Sequence, residues 1–138
     1  MAPKTFKIPL HIRYGETDQM GVVHHASFLA YLEDARTRFM EALGHSYAEL
    51  ERAGIGLPVR SLSISYRSSA RFGEDLNALV WVEKLSRASV TFAYEIRCST
   101  DDRLVVEAEI ELACTKISRT ALKVTPLPEA LKTALSSQ

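Results

Sequence analysis

Apolar and polar side chains alternate from the start: Ile8, Leu10, Ile12 and Tyr14 are interleaved with His11 and Arg13. A period of two predicts a β-strand with one buried face. Pro9 lies early in this segment, which suits a strand start or a sheet edge. A loop is expected from Gly15 to Val23, and beyond it the period changes. Phe28, Leu32, Ala35, Phe39 and Leu43 recur at the spacing of one helical stripe, which predicts a helix of about four to five turns starting near Ala26. Leu29 and Met40 widen the stripe, while Glu33, Arg36, Arg38 and Glu41 mark its polar side. Gly44 stands where a helix-terminating glycine belongs. Ser46 and Glu49 have the spacing of a capping box and predict a second, short helix, which Gly54 ends.

From Pro58 onward the period of two returns. Leu62, Ile64 and Tyr66 alternate with serines. A turn at Phe72-Gly73-Glu74-Asp75 leads into the apolar run Leu76 to Leu85. Val90, Phe92, Tyr94, Ile96 and Cys98 form the next alternating set. After a turn at Thr100-Asp101-Asp102 comes Val106, Ala108, Ile110, Leu112 and Cys114, interleaved with Glu107, Glu109 and Glu111. Long strands with one apolar and one polar face are the antiparallel habit. Pro126 and Pro128 stop the last strand, and Glu129 to Leu135 can form a terminal helical turn or two. The order is strand, long helix, short helix, then four strands. The expected fold class is α+β, a curved antiparallel sheet wrapped around one long central helix, because only a sheet is large enough to bury that helix. Residues 1–138 read as a single domain. One copy leaves apolar surface and open sheet edges, so a homodimer or homotetramer is expected.

Composition narrows the classes of function. Hydrophobic residues make up 46% of the 138 and charged residues 25%, a globular balance. Lysine plus arginine equals aspartate plus glutamate at 17 each, so no global field attracts nucleic acid or an anionic membrane; a local basic patch can still hold phosphates. Cys98 and Cys114 sit in alternating apolar surroundings without metal-ligand spacing, which predicts two buried, reduced thiols. The N-terminal residues lack the apolar run of a signal peptide, and no stretch approaches the length of a membrane span. A cytoplasmic location is the expectation.

Reactive side chains are densest from Arg13 to His25, in the loop that feeds the long helix. The first backbone N–H groups of a helix lack internal acceptors and carry positive potential, so an oxyanion there is stabilised. Asp18, a few residues upstream, can then act as base or nucleophile beside a carbonyl polarised by those groups. From spacing alone, the more ordinary reading of Asp18 is a loop carboxylate that caps its own backbone in an Asx-turn. His24 and His25 are likewise readable as one exposed and one packed ring. Adjacent histidines tend to point apart, so no metal site is expected from Asp18, His24 and His25. No Gly-x-Ser-x-Gly motif supports a serine nucleophile.

The stretch Tyr14-Gly15-Glu16-Thr17-Asp18-Gln19-Met20-Gly21-Val22-Val23-His24-His25-Ala26-Ser27-Phe28, continued by Tyr31, Glu33, Ala35, Arg36 and Gly44, resembles the 4-hydroxybenzoyl-CoA-type hotdog thioesterases. Within them it is most similar to the bacterial acyl-CoA thioester hydrolases of the Tol–Pal-associated subgroup. Ser69-Ala70-Arg71-Phe72-Gly73-Glu74-Asp75 extends the likeness, which covers roughly residues 6 to 130. The resemblance implies the hotdog fold, with paired sheets across a dimer, and hydrolysis of an acyl-CoA to free acid and coenzyme A. It places the catalytic aspartate at Asp18, its partners at Tyr14 and His25, and the oxyanion contact at the His25 backbone N–H. No separate cofactor is implied, because coenzyme A is part of the substrate. Two departures stand out: Gln19-Met20-Gly21 is bulkier than the small residues usual after the aspartate, and Glu74 is inserted in the glycine–aspartate turn. The family's basic cluster for the nucleotide phosphates is reduced to Arg87 with Lys84 nearby; Arg71 and Arg119 are the other candidates. A hotdog enoyl-CoA hydratase or dehydratase, and a non-catalytic acyl-CoA-binding protein, are the alternatives. The first needs a histidine and an acid around a β-hydroxyacyl group, and histidines occur only at 11, 24, 25 and 45.

Overall fold

The stripe from Phe28 to Leu43 forms helix α1 (Ser27–Ala42) in a computed structural model that describes residues 4–118 and 120–138. Gly44 follows it at φ +86°, the left-handed conformation that ends helices cheaply only at glycine. Short helix α2 (Tyr47–Arg52) comes next, and Ser46 Oγ accepts from the Glu49 N–H at 3.3 Å, the serine half of the expected cap.

Strands β1 (Phe6–His11), β3 (Val59–Tyr66), β4 (Asp75–Leu85), β5 (Ser89–Cys98) and β6 (Leu104–Ala113) form one antiparallel sheet in the order β1-β4-β5-β6-β3. Register puts Ala78 opposite Ile96 and Phe92 opposite Ile110, so the apolar halves of the central strands share one face. Leu76, Val80, Phe92, Ile96 and Leu112 are sealed there against α1, whose Leu32, Ala35 and Met40 have no exposed surface. Phe39 links the layers, stacking on Phe6 at 5.5 Å and meeting Phe92 edge-on at 5.8 Å. Helix α3 (Glu129–Ser136) adds Leu131 and Leu135 to this core. Cys98 and Cys114 are buried free thiols, and burial pushes the Cys114 thiol up.

Four features depart from the pattern. First, the opening strand ends at His11, and Tyr14–Glu16 winds into a 3-10 turn instead. Glu16 causes this: its N–H donates to the Arg13 carbonyl at 2.9 Å, and its carboxylate accepts from the Arg13 N–H at 2.7 Å. Second, Arg36 is not on the polar side of α1; it is 7% exposed. Third, Leu62 and Tyr66 of β3 are nearly half exposed, because β3 is an edge strand paired only with β6. Fourth, a small second sheet of β2 (Ile55–Gly56), β7 (Thr115–Lys116) and β8 (Lys123–Val124) was not foreseen. Its two-residue strands are too short to show a period.

Leu32→Ala removes a side chain with no exposed surface from the helix–sheet contact. It is expected to lower unfolding free energy by about 2–5 kcal/mol in urea titrations. Leu29→Ala, at a 41% exposed position of the same helix, is expected to change it by about 0.5 kcal/mol or less.

Candidate active site

The loop between β1 and α1 is tied down at three places. Glu16 is the first: Tyr31 of α1 donates its hydroxyl to Glu16 Oε1 at 2.7 Å, while the Glu16 carbonyl accepts from His24 N–H at 2.8 Å and Ser27 Oγ at 3.3 Å. Burial, then the Glu16 contact, pushes the Tyr31 phenol well above its ordinary value, so it serves as a donor. The second tie is a bridge to the segment before β4, where Val23 N–H donates to the Ala70 carbonyl at 2.8 Å. The third is a reversal at Gly21 (φ +79°), which only glycine adopts without strain. It lets Asp18 N–H reach the Val22 carbonyl and Gly21 N–H reach the Asp18 carbonyl, both at 2.9 Å.

These ties fix Asp18. Its Oδ1 accepts from the Met20 N–H at 2.9 Å, so the Asx-turn geometry that spacing allowed is present. The capped oxygen sets the direction of the carboxylate. Asp18 is partly exposed. Among the described residues, no hydrogen bond joins its carboxylate to Tyr14 or His25. Tyr14 is 77% exposed and meets Phe72 edge-on at 5.5 Å.

The start of α1 differs from a bare helix end. The Ala26 N–H donates to His24 Nδ1 at 3.1 Å and the Ser27 N–H to the His24 carbonyl at 2.9 Å. The His25 N–H has no hydrogen-bond partner among the described residues, so it remains available to an oxyanion. The His24 and His25 rings lie 4.3 Å apart, tilted by 31°, rather than pointing apart as adjacent histidines were expected to. Among the described residues no three His, Cys, Asp or Glu side chains are grouped to hold a metal ion.

Tyr66 escaped the sequence reading, which assigned it to the core by alternation. Its hydroxyl donates to the His25 carbonyl at 3.0 Å, and its ring meets those of His25 and Phe28 edge-on. The signal was an aromatic hydroxyl at the very end of a strand, beside the Ser-Ser-Ala-Arg segment. The inserted Glu74 also gains a role. It accepts from the Arg71 N–H at 2.7 Å and from Arg103 at 3.0 and 3.1 Å, and the Cys98 thiol lies at 3.7 Å. The Arg71 N–H foremost, with Arg103 behind it and burial opposing, holds the Glu74 carboxyl below its ordinary value.

The basic candidates are split. Arg71 lies against the Asp18 loop: a side chain at Gly21 would meet Arg71 Nη1 at 3.6 Å, and Val22 bridges to Arg71. Lys84 and Arg87 lie at the other end of β4, roughly 30 Å along the strand at about 3.3 Å per residue. Lys84 stands there among Glu83, Glu109 and Glu111, and the Arg87 carbonyl accepts from Leu127 N–H at 2.9 Å. One chain therefore does not bring these candidates together. Arg119 lies outside the described residues.

An antiparallel sheet cradling one long helix, with a carboxylate loop tied to that helix's start, defines a protein of the hotdog fold. Residues 12–135 match the Thioesterase-like superfamily, and the chain belongs to that family. Escherichia coli YbgC, named an acyl-CoA thioester hydrolase, is 28% identical over 126 residues, covering 91% of this chain and 92% of that protein. YneP of Bacillus subtilis is 36% identical over 90 residues, and the match spans 65% of either protein. The crystal structure of a DHNA-CoA thioesterase from Staphylococcus aureus superposes with a TM-score of 0.83 at 34% identity, covering 89% of this chain and 80% of that one. No helix among the described residues is long and apolar enough to cross a membrane.

Because the folded Glu74 carboxyl titrates below its unfolded value, its contribution to stability is complete above the ordinary glutamate range. It is lost as pH falls through the folded value. Glu74→Gln is expected to be less stable than wild type at pH 7, with the gap closing below about pH 4; thermal unfolding across pH 3–8 checks the sign.

Proposed function

We propose that the chain is an acyl-CoA thioester hydrolase in which Asp18 and the His25 N–H act on opposite sides of one carbonyl carbon. The observation that carries this is the pairing of a directed carboxylate with an unpartnered N–H at the start of α1, on one loop. The His25 N–H holds the oxygen that becomes negative, and loss of such a donor typically costs about 10²–10³ in rate. Asp18 attacks the carbonyl itself or takes a proton from the attacking water. In the water route the tetrahedral intermediate then expels the coenzyme A thiolate and leaves the acid; in the carboxylate route it leaves a mixed anhydride with Asp18, which a water molecule cleaves to the acid and the free carboxylate. A thiolate departs readily compared with an alkoxide, so protonation by His25 assists this step without being essential. Tyr14 and the His25 ring orient the carboxylate or the water. Tyr66, by holding the His25 carbonyl, keeps the adjoining peptide in place.

Coenzyme A enters as part of the substrate and no further cofactor is needed. Arg71 is placed to meet a phosphate near the loop; Lys84 and Arg87 serve a phosphate only if it approaches the far end of β4, as the corresponding end of a second copy can bring about. The active form is a homodimer or homotetramer. The half-exposed Val59, Leu62 and Tyr66 on the free edge strand β3 support this, because an apolar edge with unpaired backbone groups is a pairing surface.

Asp18→Asn is expected to lower kcat on acyl-CoAs at least about a hundredfold while leaving the unfolding midpoint within error. Wild-type turnover in this variant would remove Asp18 from the mechanism. Single-turnover hydrolysis in ¹⁸O water divides the two roles, since attack by the carboxylate leaves label in the protein. Sedimentation should give at least a dimer for wild type and a shift toward monomer for Leu62→Lys; a wild-type monomer would contradict the assembly.

A further inference from the structure

A cleft of about 510 Å³ lies beside the middle of α1, lined in part by Glu33, Arg36, Tyr47, Leu57, Pro58 and Ile117. Arg36 stands nine residues after the first residue of the helix, roughly 14 Å along its axis at 1.5 Å per residue. Its chemistry is separate from that of the Asp18 loop. Among the described residues, Arg36 is the one buried charged side chain.

The polar groups here lack partners. Arg36 Nε, the Tyr47 hydroxyl and the Tyr94 hydroxyl are all buried without a hydrogen bond. The guanidinium's carboxylate contact is Glu33 at 3.6 Å, longer than a hydrogen bond, and the Glu33 side chain is 70% exposed. Burial pushes both phenols up while the neighbouring Arg36 charge pulls them back. The phenols therefore stay protonated and can donate. The Arg36 guanidinium and the Tyr47 O–H on the cleft wall, with the Tyr94 phenol close to Arg36 behind it, make a donor-rich corner without a committed anionic acceptor, which a folded chain keeps at a cost.

The missing partner has a definable chemistry. A planar guanidinium matches the two oxygens of a carboxylate. Glu33 and Glu51 also line the cleft, so a dianionic phosphate meets about twice the repulsion that a carboxylate does. The Leu57, Pro58 and Ile117 side chains offer an apolar wall. We propose that this cleft is a carboxylate-binding site, taking a carboxylate on an apolar stem with Arg36 and Tyr47 as its donors. Two sources share that chemistry: a free fatty acid, or the distal carboxylate of an acyl thioester. The second source rests on the proposed thioesterase reading; the first does not.

Octanoate and octan-1-ol serve as matched probes, titrated calorimetrically into wild type and into Asp18→Asn. Octanoate is expected to bind both proteins alike and at least tenfold more tightly than octanol. Arg36→Met should lose octanoate affinity at least tenfold; Tyr47→Phe, which keeps the ring, should lose it several-fold and stands in if Arg36→Met does not fold. The source is told by kcat/KM for dodecanedioyl-CoA relative to dodecanoyl-CoA, a chain long enough to reach from the start of α1 to Arg36. A tenfold drop in that ratio in either variant assigns the thioester tail, and loss of octanoate binding alone assigns the free acid. Equal affinity for octanol and octanoate, together with a dodecanedioyl-to-dodecanoyl ratio unchanged in both variants, would overturn the proposal. If wild type hydrolyses neither thioester, the thioesterase reading fails and the titration alone judges the carboxylate site.

Discussion

The burial of α1 against the concave face of the sheet is the contact on which everything else depends. Leu32, Ala35 and Met40 are wholly withdrawn from water, and at about 25 cal/mol per Å² that burial is the largest favourable contribution a chain of this size has. It also fixes a direction. Once the helix is pressed onto β1 and β4, its N-terminal end has one location, and the loop before it must reach that end from His11. The site is thus a by-product of where the core lets α1 begin.

That loop then needs its own constraints, because a polar segment on the surface has little apolar area to hold it. They come from charge-assisted and backbone hydrogen bonds. Glu16 is shared between the 3-10 turn and Tyr31 on the helix, and Gly21 permits the reversal that caps Asp18. On the other side, Glu74 clamps the Arg71 segment to Arg103, and Val23 bridges to Ala70. This chain of contacts links the segment that carries the Asp18 carboxylate to the one that carries the His25 N–H. The local hydrogen bonds of His24 at the helix start occupy the Ala26 and Ser27 N–H groups and leave that of His25 free.

The half-exposed apolar side chains of β3 and the buried Arg36 are opposite anomalies with a common origin. A single sheet cannot wrap a 16-residue helix completely. One edge of the sheet therefore extends past the helix and keeps apolar residues in water, and one flank of the helix faces a cleft rather than a strand. Both places ask for something outside the packed core, a second surface in the first case and an anion in the second.

Much of this was already fixed by local chemistry. The helix, the long strands, their turns and the core alternation follow from periods of 3.6 and 2, which depend only on neighbours in the chain. The resemblance of the Tyr14–Phe28 segment pointed to Asp18, Tyr14 and His25, the residues on which the proposed function rests. Tertiary structure decided what periodicity leaves open. Arg36 follows Leu32 by four residues, on the flank of the buried stripe, yet its charge argued for water; the placement of Tyr47 and Tyr94 settled that it is inside. Tyr66 alternates like a core residue, and only the position of β3 at the sheet edge freed its hydroxyl for the His25 carbonyl. Arg87, the remnant of the family's basic cluster, and Arg71 were both candidates for the phosphates, and the length of β4 separates them. In each case the deciding partner is distant in sequence, so no local pattern could carry the information.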